Sequence, residues 1–232
     1  MKAVIPVAGH GTRLEPHTLK LQKCLLPVAG KPVLEHILDR ITRAGVTDIT
    51  LIIGHLGSQV RDFCQTYSKA EFTFVKQKEQ LGLGHAVYKG LDHSDEPVVL
   101  VLGDAILELD YQNFLASFHT TIGVAHVPDP QRFGIVELDG ERIVKVWEKP
   151  EIPPSDLAII GIYYISSQKV LAQAVEYLIE NDLRTRNEYQ LTDAFEEMLK
   201  NGHNFQAFNV EECLDCGIPD TLLSTNRKLL EQ

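Results

Sequence analysis

The run from Ile5 to Pro32, IPVAGHGTRLEPHTLKLQKCLLPVAGKP, governs how the rest of the chain is read. The chain opens on MKAVIPV, whose apolar, β-branched composition predicts a short buried strand. That strand runs into Ala8-Gly9-His10-Gly11, where small residues let a ligand approach the backbone and meet its N–H groups. Arg13, Lys20, Lys23 and Lys31 follow. Between Met1 and Val33 five basic residues stand against one acid, Glu15, a net charge of +4; the whole chain carries −10, so the remainder carries −14. A glycine turn loaded with cations inside an acidic protein reads as a polyphosphate cradle. It is not the Walker loop, because no Gly-Lys-Ser/Thr follows. The dinucleotide fingerprint is excluded too: a third glycine is missing, and Pro16 and Pro27 intervene before a helix can start.

With 232 residues, 44% of them apolar, the chain can bury one sizeable core, so a single domain over 1–232 is expected. The acidic balance argues against a nucleic-acid surface. No apolar run reaches membrane-spanning length, and the N-terminus lacks the layout of an export signal. Cys24, Cys64, Cys213 and Cys216 do not form a secreted disulfide framework. Cys213-Leu-Asp-Cys216 lacks the two further ligands zinc needs and sits far from the position of a thioredoxin-type pair. A cytoplasmic protein without nucleic-acid or membrane partners is expected, and a homo-oligomer is left open.

Apolar runs alternate with helical patterns along most of the chain. Leu34, Ile37, Leu38 and Ile41 mark a helix face, with Pro32 at its start and Gly45 at its end. Strands are expected at ITLII (49–53), EFTFV (71–75), VVLVL (98–102), IGVAHV (122–127) and AIIGIYYI (158–165), with a helix over 84–92. GIVEL and ERIVKVW flank Asp139-Gly140, a hairpin signal. Helices follow Ser166/Ser167, surround Ala194 to Leu199, and open at Pro219. This order predicts an α/β fold: a Rossmann-like three-layer sandwich with a mixed, mostly parallel central sheet.

In such sheets ligands bind beyond the carboxyl ends of strands. Polar residues stand at those places repeatedly: Asp104 after VVLVLG, Glu148-Lys149-Pro150 after RIVKVW, Asp215 after NFQAFNV, and Gln77 after EFTFV. A lone aspartate there is commonly a cap or turn residue. Two carboxylates from separate strand ends, facing a cationic loop, suit Mg²⁺, which takes one or two carboxylates and completes its shell with phosphate oxygens and water.

The pattern Gly9-x-Gly11-Thr12-Arg13-Leu14…Lys23…Leu26-Pro27-Val28…Lys31-Pro32 resembles the signature of the sugar-1-phosphate nucleotidyltransferases. Pro6-Val7-Ala8-Gly9 is most similar to glucose-1-phosphate uridylyltransferases, whereas thymidylyltransferases usually carry Gly-Gly at Ala8-Gly9. The residue before the signature lysine is usually proline, and here it is Gln22. The resemblance covers almost the whole chain and leaves out the C-terminal β-helix that many relatives carry. It implies that UTP or dTTP and a hexose 1-phosphate react with release of pyrophosphate, with Mg²⁺ as cofactor, and that UTP and glucose 1-phosphate are the pair. Thymidylyl transfer, N-acetylhexosamine or phosphocholine activation, and a non-catalytic nucleotide-sugar sensor are the alternatives.

The same resemblance implies roles for individual residues. Ala8, Gly9, Gly11 and Thr12 cradle the nucleotide, while Gln77 and Gly82 read its base; an amide that donates and accepts suits the uracil or thymine edge. Arg13 and Lys23 hold the triphosphate, and Asp104 and Asp215 hold the metal. Gly134, Glu148, Lys149, Gly161 and Thr192 receive the sugar phosphate, with Lys149 on its phosphate. The glycines at 82 and 84, expensive in a helix, are expected to mark close ligand approach. The Glu188…Thr192-Asp193 segment resembles a sugar-facing one, although Asp193 equally suits a helix cap. His10, His17, His36 and His85 are expected to be structural or peripheral, and Cys213, where relatives carry tryptophan, to alter packing more than chemistry.

Overall fold

The computed structural model describes residues 1–231. β1 (Lys2–Val7) is buried on both sides, with Ala3, Ile5 and Val7 facing one core and Val4 the other. Three 3-10 turns (Thr12–Leu14, His17–Leu19, Lys23–Leu25) and a small ribbon of β2 (Pro27–Val28) and β3 (Lys31–Pro32) lead into α1 (Val33–Arg43). In α1 the four predicted apolar positions are all buried, and Gly45 follows at φ +90°. Next come β4 (Asp48–Ile53), α2 (Gly57–Thr66), β5 (Glu71–Lys76), α3 (Leu83–Gly90) and β6 (Val98–Val101). A second ribbon strand, β7 (Ala105–Glu108), and α4 (Tyr111–Leu115) precede β8 (Thr120–His126), β9 (Gly134–Asp139), β10 (Arg142–Glu148) and β11 (Leu157–Ile165). The chain continues through α5 (Gln168–Glu180), α6 (Leu191–Lys200), β12 (Phe205–Asn209), β13 (Glu212–Asp215) and α7 (Pro219–Leu230). Ser167 caps α5 by accepting from the Val170 N–H at 3.3 Å, as its position predicts.

Nine strands form one sheet in the order β5-β4-β1-β6-β11-β8-β12-β10-β9. Following the pairings, only β10 and β11 run against the other seven, so the sheet is mixed and mostly parallel, as expected. One core, with α1, α2 and α4, covers one face; the other, with α3, α5 and α6, covers the second. This is the three-layer sandwich.

Two local departures matter. The β9–β10 turn is Gly140-Glu141, closed by the Asp139↔Arg142 pair, one residue beyond the predicted Asp139-Gly140. Gly140 at φ +64° takes the position that a tight hairpin turn gives to glycine. Also, β9 pairs with β11 through Ile135↔Ala158. That contact curls the hairpin back, so that Gly134 and Glu148, paired at its open end, reach the middle of the sheet.

Asp39, on α1, is buried, and its carboxylate accepts from Lys69 at 2.7 Å, Tyr67 at 3.1 Å and Lys31 at 3.3 Å. Burial alone would raise its pKa, but those hydrogen bonds hold it down at about 2. A carboxyl depressed in the folded state stabilises above its unfolded value, and that stability is lost as pH falls through about 2. Asp39→Asn should therefore cost about 1–2 kcal/mol at neutral pH, discounted for the exposed lysines, and little near pH 2. Urea melts at the two pH values check this, and an equal loss at both would place the effect in packing.

Candidate active site

The carboxyl ends of β1, β5 and β6 open on one cleft made of two adjoining hollows of about 300 and 360 Å³. Leu83, Leu102, Asp104 and Glu188 border both. Ala8 and Gly9 line the first, with Lys23, Gln77, Gly82 and Asp104 across from them. The Lys23 ammonium donates to Asp104 Oδ2 at 2.6 Å, both side chains being partly buried. The turn after β6 needs Gly103, because a Cβ there would lie 2.5 Å from Val7 Cγ1. This close crossing brings Asp104 to the glycine turn after β1.

The second hollow gathers Arg13, Asp104, Gly134, Glu148, Lys149, Gly161, Thr192 and Asp215. Glu148 accepts from Thr192 at 2.8 Å and pairs with Lys149 at 2.8 Å, so one carboxylate fixes both. Lys149 has a left-handed backbone at φ +42°, its N–H bonded to Phe133 O at 3.1 Å and its carbonyl to Arg186 at 3.0 Å. Gly161, at φ +86°, sits where the β8–β11 register shifts between Ile159 and Tyr163. It is a bulge packed on Leu102, whose side chain a Cβ would meet at 3.0 Å.

Asp215 arrives by a route the sequence reading lacked. It does not follow β12 but is the last residue of β13, which pairs only with β7 in a separate two-stranded ribbon. Asp215 faces Ala105 in that register, and the Cys216 N–H donates to Asp104 O at 2.8 Å, so the two aspartates are neighbours. No group of three or more His, Cys, Asp or Glu that could hold a metal occurs among the described residues. A carboxylate pair open to a phosphate cleft nonetheless fits Mg²⁺, which takes its remaining oxygens from phosphate and water.

Other expectations change. Gly82 is not helical but precedes α3 at φ +112°, and Cβ atoms on Gly82 and Gly84 would lie 2.6 and 2.8 Å from Tyr189 O. Protein packing, rather than ligand approach alone, requires both glycines. Gly11, at φ +69°, starts the Thr12–Leu14 turn, and neither Gly11 nor Thr12 borders either hollow. Arg13 borders the second hollow and not the first. Asp193 lies inside the first turn of α6 and does not cap it.

Gln77 is buried and more constrained than an amide free to donate and accept. Its Nε2 faces Gly82 O at 3.3 Å and His85 Nδ1 at 3.2 Å. Burial lowers the His85 pKa, so the neutral ring can accept at Nδ1. His85 therefore takes part in the site by orienting Gln77, and leaves Oε1 as the polar atom open to the hollow. Sequence reading also missed Tyr163, Arg132 and Gln190, which border the second hollow; Cys213, expected to alter packing more than chemistry, borders it too. Tyr163 carried a usable signal, since it lies two residues after the bulge glycine on the same strand. Its phenol, pushed up by burial and by the charges of Glu148 and Asp104, stays neutral.

A glycine turn with cations on both sides of the cleft and a carboxylate pair between them suits nucleotidyl transfer, and residues 2–232 match the nucleotidyl transferase family, to which the chain belongs. It is 35% identical, over its full length, to the low-salt glycan biosynthesis nucleotidyltransferase Agl11 of Haloferax volcanii, and 34% identical to a glucose-1-phosphate thymidylyltransferase of Streptomyces antibioticus. It spans about two thirds of each, 66% and 67%. Among solved structures, a Bacillus anthracis protein described as a glucose-1-phosphate thymidylyltransferase, in complex with sucrose, superposes with a TM-score of 0.85 at 27% identity. That match covers 100% of this chain and 96% of the other.

Proposed function

We propose that the protein joins a pyrimidine nucleoside triphosphate, UTP first, to a hexose 1-phosphate, glucose 1-phosphate first, with release of pyrophosphate. The observation that carries this is the cleft of two adjoining hollows, sharing Asp104, in which Lys23–Asp104 borders the first and Glu148–Lys149 borders the second together with Asp215. The nucleotide lies in the first hollow and the sugar phosphate in the second. An already ionised phosphate oxygen of the sugar phosphate attacks the α-phosphorus, and the bond to the β-phosphate bridging oxygen breaks. No protein base is needed, because the nucleophile carries no proton to remove; the chain's part is alignment and charge neutralisation. Lys23 stabilises the charge on the α-phosphate and leaving pyrophosphate. Arg13 adds charge from the second hollow. Lys149 aligns the sugar phosphate, while Glu148 and Thr192 receive sugar hydroxyls beside the open backbone at Gly134 and Gly161. Asp104 and Asp215 would hold Mg²⁺, which supplies charge neutralisation and template when bound. Among the described residues no helix is long and apolar enough to cross a membrane. A cytoplasmic location is part of the proposal.

Discrimination against cytosine follows from Gln77 Oε1, an acceptor. It suits the N3–H of uracil or thymine, whereas cytosine presents a lone pair at N3 and would meet it with repulsion. Unpaired buried polar groups reject a wrong base strongly. A pyrophosphate-release screen should show UTP or dTTP used far better than CTP, ATP or GTP, and Gln77→Ala should erode that preference. The thymine methyl adds only apolar contact, so UTP and dTTP should differ modestly. Preference for CTP or GTP in the wild type counts against both the base assignment and the substrate.

A further inference from the structure

We infer that Gln22 is a positioning residue that clamps the phosphate turn to the turn carrying Lys23. Its side chain is 2% exposed, yet it borders the first hollow. Nε2 donates to Val7 O at 2.6 Å and, more distantly, to Gly9 O at 3.4 Å. Oε1 accepts from the Cys24 N–H at 2.6 Å. The amide can sit only one way round, because reversal would face Oε1 with two carbonyls and the NH₂ with an N–H. The Gln22 N–H itself donates to Gln59 Oε1 at 2.9 Å, and Gln59 Nε2 donates to Lys20 O at 2.9 Å, so α2 holds the same segment from behind.

The effect on the phosphate turn is directional. Ala8 O is taken as well, by the His55 N–H at 3.1 Å and Gln80 Nε2 at 2.9 Å. The carbonyls of residues 7, 8 and 9 are thus all held by the protein. In a trans peptide the following N–H points opposite to the carbonyl. The N–H groups of Ala8, Gly9 and His10 are therefore aimed away from those holds, and cannot rotate without breaking one. The same glutamine starts the 3-10 turn Lys23–Leu25, so one amide sets the turn's donors and the lysine in a fixed relation.

Proline at this position would fix the backbone instead. Gln22 has φ −61°, which a proline ring would accept, but proline offers neither the N–H that meets Gln59 nor the side-chain amide. The clamp replaces ring stiffness with hydrogen bonds.

This inference rests on the phosphate-binding part of the proposed function, and its test has one arm independent of transfer. Gln22→Met, Gln22→Pro and Gln22→Glu are compared with the wild type. Calorimetry with inorganic tripolyphosphate should show about tenfold weaker binding for Gln22→Met and Gln22→Pro. With UTP and glucose 1-phosphate, kcat should fall by on the order of a hundredfold, with the KM for UTP moving far less. Gln22→Glu gives the signature that mere packing would not. A carboxyl keeps the acceptor for Cys24 but donates to Val7 O only when protonated. Its binding relative to wild type should recover as pH falls and be lost as pH rises; Lys23, His10, His55 and Asp104 are common to both proteins and cancel in the ratio.

Wild-type tripolyphosphate affinity in Gln22→Met, or a pH-independent ratio for Gln22→Glu, overturns the clamp. Should Gln22→Met fail to fold, the glutamate ratio still decides. Failure of the wild type to bind tripolyphosphate overturns the clamp too. Wild type that binds tripolyphosphate but transfers no nucleotide overturns the proposed reaction and leaves the clamp standing.

Discussion

Replacing Lys23 with alanine should lower turnover by about a hundredfold or more, the scale of losing one group that stabilises developing charge. The lysine lies between the phosphate turn and Asp104, where its ammonium reaches a carboxylate at 2.6 Å and borders the nucleotide hollow. Its loss removes positive charge where the α-phosphate and leaving pyrophosphate gather negative charge, and leaves Asp104 facing phosphate without that counter-charge. The fold should survive, because the pair is partly exposed and ion pairs of this kind contribute little to stability. Steady-state kinetics with a circular-dichroism melt separate the two. Turnover near the wild-type value in a folded variant would remove Lys23 from the mechanism.

Asp104→Asn and Asp215→Asn should each abolish Mg²⁺-dependent turnover, and the double variant should be scarcely worse than either single one. Groups that act on one ion fail together, so their effects do not multiply. The neighbouring placement of the two aspartates across the β7–β13 ribbon motivates this. Titration of Mn²⁺ in the presence of a non-reacting nucleotide supplies a readout besides rate, in which both single variants should lose the metal signal. Independent, multiplicative losses would mean that the carboxylates do not share a metal.

Much of the fold was legible because its strands are continuous apolar runs, as in β6 and β11, and its large helices bury a regular stripe, as in α1 and α5. α2 was not, since it buries only Gly57, Val60 and Cys64 over ten residues. β7 and β13 escaped for a different reason: each spans four residues, and β7 follows β6 so closely that VVLVLGDAILEL reads as one run. The site residues just past strand ends were visible because topology alone puts them there. Gln22 was visible only as an oddity. Its partners lie 13 and 15 residues back along the chain, on a turn whose proximity no local spacing encodes. At Gly82 and Gly84 the sequence could not show that the backbone excluding a side chain belongs to Tyr189, about a hundred residues further along.

The β7–β13 ribbon makes the aspartate pair vulnerable in a way the large sheet is not. Its four cross-strand pairs, from Glu212↔Glu108 to Asp215↔Ala105, together with the Cys216 N–H bond to Asp104 O, set the height of one aspartate against the other. Side chains alternate faces along a strand, so a slip of one residue would turn the Asp215 side chain away from the cleft while Asp104 stays in place. A single-residue insertion or deletion between Val210 and Glu212 could thus be nearly silent in a thermal melt and fatal to turnover. Indels in this short segment divide working copies of the cleft from intact but inert ones.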